Sequence, residues 1–214
     1  MRGQLVCVLL LGSAAAAAAP RGHAIAFGKW MTVKWFTGAA KDTPVEMKVR
    51  PLYVDGRLRE YTLGEPHEVT ERVLVVQQAY RLNDALAGER GPQWKWQRGG
   101  WLLAERASGR VRKLWLPEFD PSASQASWYR DCAAYCGGSE EDGKRYAVVA
   151  QLGRRRPLLR QELGSECAAP EWQRNPPRVT FAPAGGEKRT FEVRGHAVDP
   201  APDEEPKAEE SPQP

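Results

Sequence analysis

The feature that most constrains this chain is a period of two. Val45-Glu46-Met47-Lys48-Val49-Arg50 alternates strictly and puts Val45, Met47 and Val49 on one face. Trp94-Lys95-Trp96 alternates again, and Arg72-Val73-Leu74-Val75-Val76 is the short apolar run of a strand covered on both faces. Lys29 to Phe36 mixes polar with aromatic and β-branched residues. Each segment is short and bounded by Gly, Pro, Asn or Asp, which is strand punctuation. The one helical expectation is a single turn over Leu82 to Gly88, capped by Asn83 or Asp84. The class is all-β, with about ten antiparallel strands.

The two ends differ in kind from this middle. Arg2, the apolar stretch Leu5 to Gly12 and the run Ala14 to Ala19 have the layout of a secretory signal peptide. Pro20 disfavours cleavage after Ala19. The small residues of Gly22-His23-Ala24 and Ala24-Ile25-Ala26 place the cut after Ala24 or Ala26, giving a signal peptide over 1–24. The competing reading is an uncleaved N-terminal anchor. No later stretch reaches the ~20 apolar residues of a membrane helix. The mature chain is expected to be exported, periplasmic or secreted, with no transmembrane segment. From Asp199 to Pro214 the chain carries six acids, one Lys and five Pro, and no large apolar residue. Such a segment cannot offset its ordering entropy by burial, so 199–214 is expected to be a disordered acidic tail. Residues 25–198 remain as one β domain. It holds 28 basic and 21 acidic residues, a mild +7 that favours anionic neighbours without implying nucleic acid.

Inside that domain a strand–turn–strand shape recurs. Leu52 to Tyr61 turns at Gly56-Arg57, Trp101 to Leu114 at Gly109-Arg110, and Tyr146 to Leu158 at Gly153-Arg154. A further strand pair precedes each, around 29–50, 69–96 and 126–137. The spacing is that of β-propeller blades. Ser127-Trp128-Tyr129, followed by Ser139-Glu140-Glu141-Asp142-Gly143-Lys144-Arg145-Tyr146-Ala147-Val148-Val149, resembles the blade pattern of WD40-like and TolB-like propellers, and Ser108-Gly109 resembles their turn. The likeness covers residues 101–160. It implies three hairpin-rich, blade-like units in an open, curved or two-sheet arrangement, because three units are too few to close a propeller. Trp96 to Leu103 and Gln151 to Pro157 are also similar to uncharacterised exported bacterial β-rich proteins, a likeness that implies no activity.

Removal of the signal peptide takes Cys7 and leaves Cys132, Cys136 and Cys167. In an oxidising compartment one pair should form. Four strand residues span ~13 Å, beyond the ~7 Å reach of a disulfide, so Cys132 and Cys136 cannot pair. Cys136, followed by Gly137-Gly138, is the better partner for Cys167, leaving Cys132 as a buried free thiol. A metal site is disfavoured by the cysteine spacing and the scarcity of His.

No nucleophile elbow, phosphate loop or zinc-protease motif occurs. Glu118 and Asp120, with Asp131 near in sequence, admit an acid-pair hydrolase. The plainer reading is a loop whose acids cap turns and pair with Arg. Trp94 and Trp96 share a face and suit sugar rings or extended peptides. Arg154, Arg155, Arg156 and Arg160 form a basic patch suited to carboxylate or phosphate. The resulting expectation is a non-enzymatic binding domain, without a cofactor, for an envelope or extracellular glycan, peptide or anionic surface, using those six residues. Two alternatives stand beside it: a structural or assembly subunit of an envelope complex, and an acid-dependent hydrolase.

Overall fold

The structure is a computed structural model and describes residues 22–35, 44–85, 88, 90–139 and 141–201. Residues 1–21, most of the expected signal peptide, and residues 202–214, most of the expected tail, lie outside the described residues. No helix occurs among the described residues. The expected helical turn does not form where its start is described, since Leu82 and Asn83 end a strand and the Asn83 side chain accepts from the amides of Ala85 and Gln93.

The first sheet has seven strands: β1 (Ile25–Phe27), β2 (Met31–Trp35), β3 (Val45–Val54), β4 (Arg57–Thr70), β5 (Val73–Asn83), β6 (Trp94–Glu105) and β7 (Arg110–Leu114). From β2 to β6 the chain is an antiparallel meander. A meander reverses at every step, so its fifth strand runs the same way as its first. A ring of five can therefore close only through a parallel pair, and β2 meets β6 in parallel with Trp35 opposite Trp96. Five strands thus form a small closed barrel. β1 continues the sheet beside β3, and β7 beside β6.

This corrects the expected open set of three blade-like units, and the described strands number fifteen where about ten were expected. The expected hairpins are present, and Gly56, Gly109 and Gly153 all take positive φ at their turns. What differs is their grouping: the first two units merge into one sheet. β4 and β6 run 14 and 12 residues, and irregularities in the pairing interrupt both. Long bulged strands coil strongly, and closure removes two exposed edges.

Two four-stranded sheets follow. The second holds β8 (Ser127–Tyr129), β9 (Cys132–Gly138), β10 (Arg145–Gln151) and β11 (Leu159–Glu162). The third holds β12 (Glu171–Arg174), β13 (Pro177–Phe181), β14 (Arg189–Arg194) and β15 (Ala197–Pro200). Asp199 and Pro200, read from the sequence as the start of the tail, pair with Glu192 and Phe191.

The second sheet is the middle layer. Alternate residues of β9 and β10 sort to its two faces, and nearly all are buried. Ala133, Tyr135, Val148 and Ala150 meet Val75, Trp101 and Leu103 of the first sheet. Ala134, Cys136, Ala147 and Val149 meet Val179, Phe181, Phe191 and Val193 of the third. Each large apolar side chain buried here stabilises by ~1.5–3 kcal/mol. Within the first sheet, every strand of the barrel contributes to one core: Val33 and Trp35, Met47 and Val49, Tyr61 and Leu63, Ala79, and Trp96. Leu74, Val76, Leu102 and Ala104 point the other way, onto Ile25, Phe27 and Val111.

The cysteines follow the sequence argument. Cys136 and Cys167 form the disulfide with their Cα atoms 6.0 Å apart, and Cys132 is free and buried. The bridge ties the middle layer to the segment leading into the third.

Candidate functional site

In the second and third sheets, antiparallel pairing sends successive turns to opposite ends. Side-chain contacts show which turns share an end. The Tyr129 hydroxyl, where β8 ends, donates to the Arg174 carbonyl, where β12 ends. Gln151, where β10 ends, contacts His196 in the β14–β15 turn at 3.0 Å. The Leu152 amide donates to the Asp131 carbonyl in the β8–β9 turn. Four hairpin turns from two sheets therefore meet at one end of the sandwich.

Each of these turns carries base. They present Arg130, then Arg154, Arg155 and Arg156, then Arg174, then Arg194 with His196, all exposed. Charge compensation is slight. Asp131 accepts from Gln151 at 2.8 Å. Glu192 takes Arg194, whose hydrogen bond holds the carboxyl below the usual range against the cost of its desolvation. Arg130, Arg154, Arg155, Arg156 and Arg174 form no side-chain ion pair among the described residues. Arg130 lies over the Tyr129 ring at 5.3 Å, and that ring stacks on Trp172 at 5.4 Å.

Arg160 is not part of this end. It lies along β11 opposite Val148. Its guanidinium donates to Glu118 at 2.7 and 2.8 Å and covers the Tyr146 ring at 3.6 Å. Arg160 is therefore a structural cation. Sequence reasoning grouped it with Arg154 to Arg156 by proximity, without the partner 42 residues away.

Trp94 and Trp96 do share a face, as alternation requires, and lie at the closing seam of the barrel. Trp96 pairs with Trp35, and its ring meets Tyr61 edge-on at 5.1 Å. Trp94 is 55% exposed. Arg81, opposite Trp96 on β5, lies over Tyr61, Trp94 and Trp96 at 5.7, 5.4 and 5.5 Å. Arg98 lies over Trp35 at 5.4 Å. Sequence reasoning missed Trp35, Tyr61, Arg81 and Arg98, because the seam is made by pairings between distant strands. These contacts all lie within the first sheet, and none joins the seam to the arginine turns.

The acid-pair alternative meets occupied groups. Glu118 is tied to Arg160. Burial tends to raise the Asp120 pKa, but hydrogen bonds from the Ser122 hydroxyl and amide and from the Ala123 amide outweigh it and hold the carboxyl below its ordinary value. A carboxyl held ionised in this way is a poor proton donor. Asp131 belongs to the Gln151 contact. A cleft of about 700 Å³ borders Glu118 and Asp120. Its cations are matched internally, Lys144 by Glu162 and Arg145 by Glu166. Among the described residues, no group of three or more His, Cys, Asp or Glu side chains is placed to hold a metal ion. No known protein family, curated protein or solved structure matches the chain.

Proposed function

We propose that the chain is a non-enzymatic binding domain that acts after export and docks an anionic polysaccharide on the arginine turns of the sandwich. The observation that supports this most is the convergence of four turns with five unpaired, exposed arginines among the described residues. Like charges brought together raise one another's energy, and a fold gathers them without compensation at some cost. An anionic partner removes that cost. Guanidinium forks match the planar oxygens of carboxylate and sulfate groups. The Tyr129–Trp172 stack beside Arg130 adds a flat apolar surface for a sugar ring. Turns and the strand ends that enter them carry the charge, so the surface suits a long polymer with repeated anionic groups.

The test uses the full exported chain with heparin as probe and dextran as the neutral control. Arg154→Ala with Arg156→Ala should weaken heparin binding by about tenfold or more and lower its salt dependence, with unchanged thermal stability. Binding equal to wild type would remove the arginine turns from function. Equal affinity for dextran would do the same. Binding to anionic vesicles in place of heparin would move the reading to a lipid surface. A concentration-dependent mass with no ligand binding would favour the assembly subunit.

A further inference from the structure

Four rings and two guanidiniums meet where the barrel closes. Tyr61, Trp94 and Trp96 surround a position that an external cation would occupy in an open aromatic site. Here the chain fills that position itself, with Arg81. A guanidinium that uses its faces against rings keeps its N–H groups in the plane between them. The Arg81 side chain makes no hydrogen bond or ion pair among the described residues, and neither does Arg98. Arg98 is half-buried, and desolvation draws its pKa down while the Asp120 carboxylate opposes the shift. The indole Nε1 of Trp35, the ring beneath Arg98, is buried without an acceptor. Two acids are committed elsewhere: Asp84, the residue after β5, to Lys95, and Glu60 of β4 to Gln78. Among the described residues, Arg81 thus has no acceptor, Arg98 has only the field of Asp120, and the buried Trp35 donor is unused.

We infer that the barrel seam binds a sugar acid, a pyranose ring bearing a carboxylate, with the carboxylate on Arg81 and the ring on the exposed face of Trp94. Arg81 sets the sign of the ligand: with its cation in place the aromatic group rejects ammonium ligands and takes an anion. Trp94 sets the shape, since a more than half-exposed indole offers flat apolar area to the C–H face of a pyranose. The site is separate from the arginine turns and does not depend on them.

Galacturonate is the probe, with galactose as its neutral counterpart and choline as a cation, read by tryptophan fluorescence and confirmed by calorimetry on the full chain. Galacturonate should bind at least tenfold more tightly than galactose, and choline should not bind. Arg81→Gln should abolish the preference for galacturonate and let choline bind, because the rings then lack their internal cation. Trp94→Ala, at an exposed position, should weaken galacturonate by about tenfold and leave the preference over choline in place. The Arg154→Ala, Arg156→Ala variant should bind galacturonate like wild type, so failure at one site is distinguishable from failure at the other. Equal binding of galacturonate and galactose, an unaltered Arg81→Gln variant, or no saturable signal overturns the inference. Loss of fold in Arg81→Gln leaves the Trp94→Ala result and the galactose comparison to decide it.

Discussion

At Cys132, burial and then the neighbouring Asp131 carboxylate oppose the thiolate, and the pKa is pushed up to about 12. An acid whose folded pKa lies above its unfolded value of 9.0 holds more protons folded than unfolded between the two. Its contribution to stability is complete below pH 9 and declines as pH rises towards 12, by up to ~1.4 kcal/mol per pH unit. Tyr135 is also raised by burial and adds to the same alkaline loss. Cys132→Ala should therefore flatten the fall in stability above pH 9 relative to wild type, as read by urea melts across that range. An identical slope in the two proteins would show that Cys132 titrates normally. In the native protein, iodoacetamide at pH 8 should leave Cys132 unmodified, since a thiol so far below its pKa is ~10⁻⁴ ionised. This residue was legible in the sequence, because strand rise alone forbids a bond between Cys132 and Cys136. Arg160 was not: its charge suggested a free patch, whereas its meaning comes from Glu118 on a distant loop. Glu118 takes a φ of 57°, and nothing in its local sequence announces that.

The strand β6 shows the same division at the scale of an element. Its alternation at Trp94-Lys95-Trp96 and its turn at Gly109 are local signals, and both were readable. Its bulge at Gly99-Gly100 is marked in the sequence only by two adjacent glycines. Pairing across it passes from Arg98 opposite Ala79 to Trp101 opposite Gln77, so three steps on β6 match two on β5. The bulge brings Gly99 against Gln78, where an added Cβ would lie 2.9 Å from that residue's Cβ and 3.1 Å from its carbonyl oxygen. Gly100 has nothing within 4 Å of such a carbon. Gly99→Ala should accordingly cost about 1–3 kcal/mol by overpacking, while Gly100→Ala should change stability by less than ~0.5 kcal/mol. Denaturant melts of the two variants compare neighbours in one bulge. Equal losses would mean that the bulge does not press on Gln78. The parallel contact of Trp35 with Trp96 leaves no trace in either strand, because each reads the same whether the sheet stays open or closes.

At the scale of the whole molecule, stability runs through the middle sheet. Its residues alternate between the faces toward the first and third sheets, so neither outer layer has a private core at these contacts. The disulfide reinforces one of these junctions, and closing a loop of about thirty residues removes roughly 3–4 kcal/mol of unfolded-state entropy. The third sheet escaped the blade reading because its alternation is confined to strands of four to six residues, as in Val179-Thr180-Phe181 and Phe191-Glu192-Val193. Its last strand is the last element of the described residues. Asp199 and Pro200 pair with β14, and the Ala201 amide donates to the Thr190 carbonyl. The apolar side chains of the packed cores come from positions up to Val198. A chain ending at Ala201 should thus melt within ~0.5 kcal/mol of the full-length protein, since residues 202–214 hold no large apolar side chain. A chain ending at Val198 loses the outer half of β15 and uncovers Phe191, and should be less stable by about 1–2 kcal/mol. The step in stability should fall between residues 198 and 201. A step between 201 and 214 would instead mean that the acids of residues 202–214 press on the basic domain.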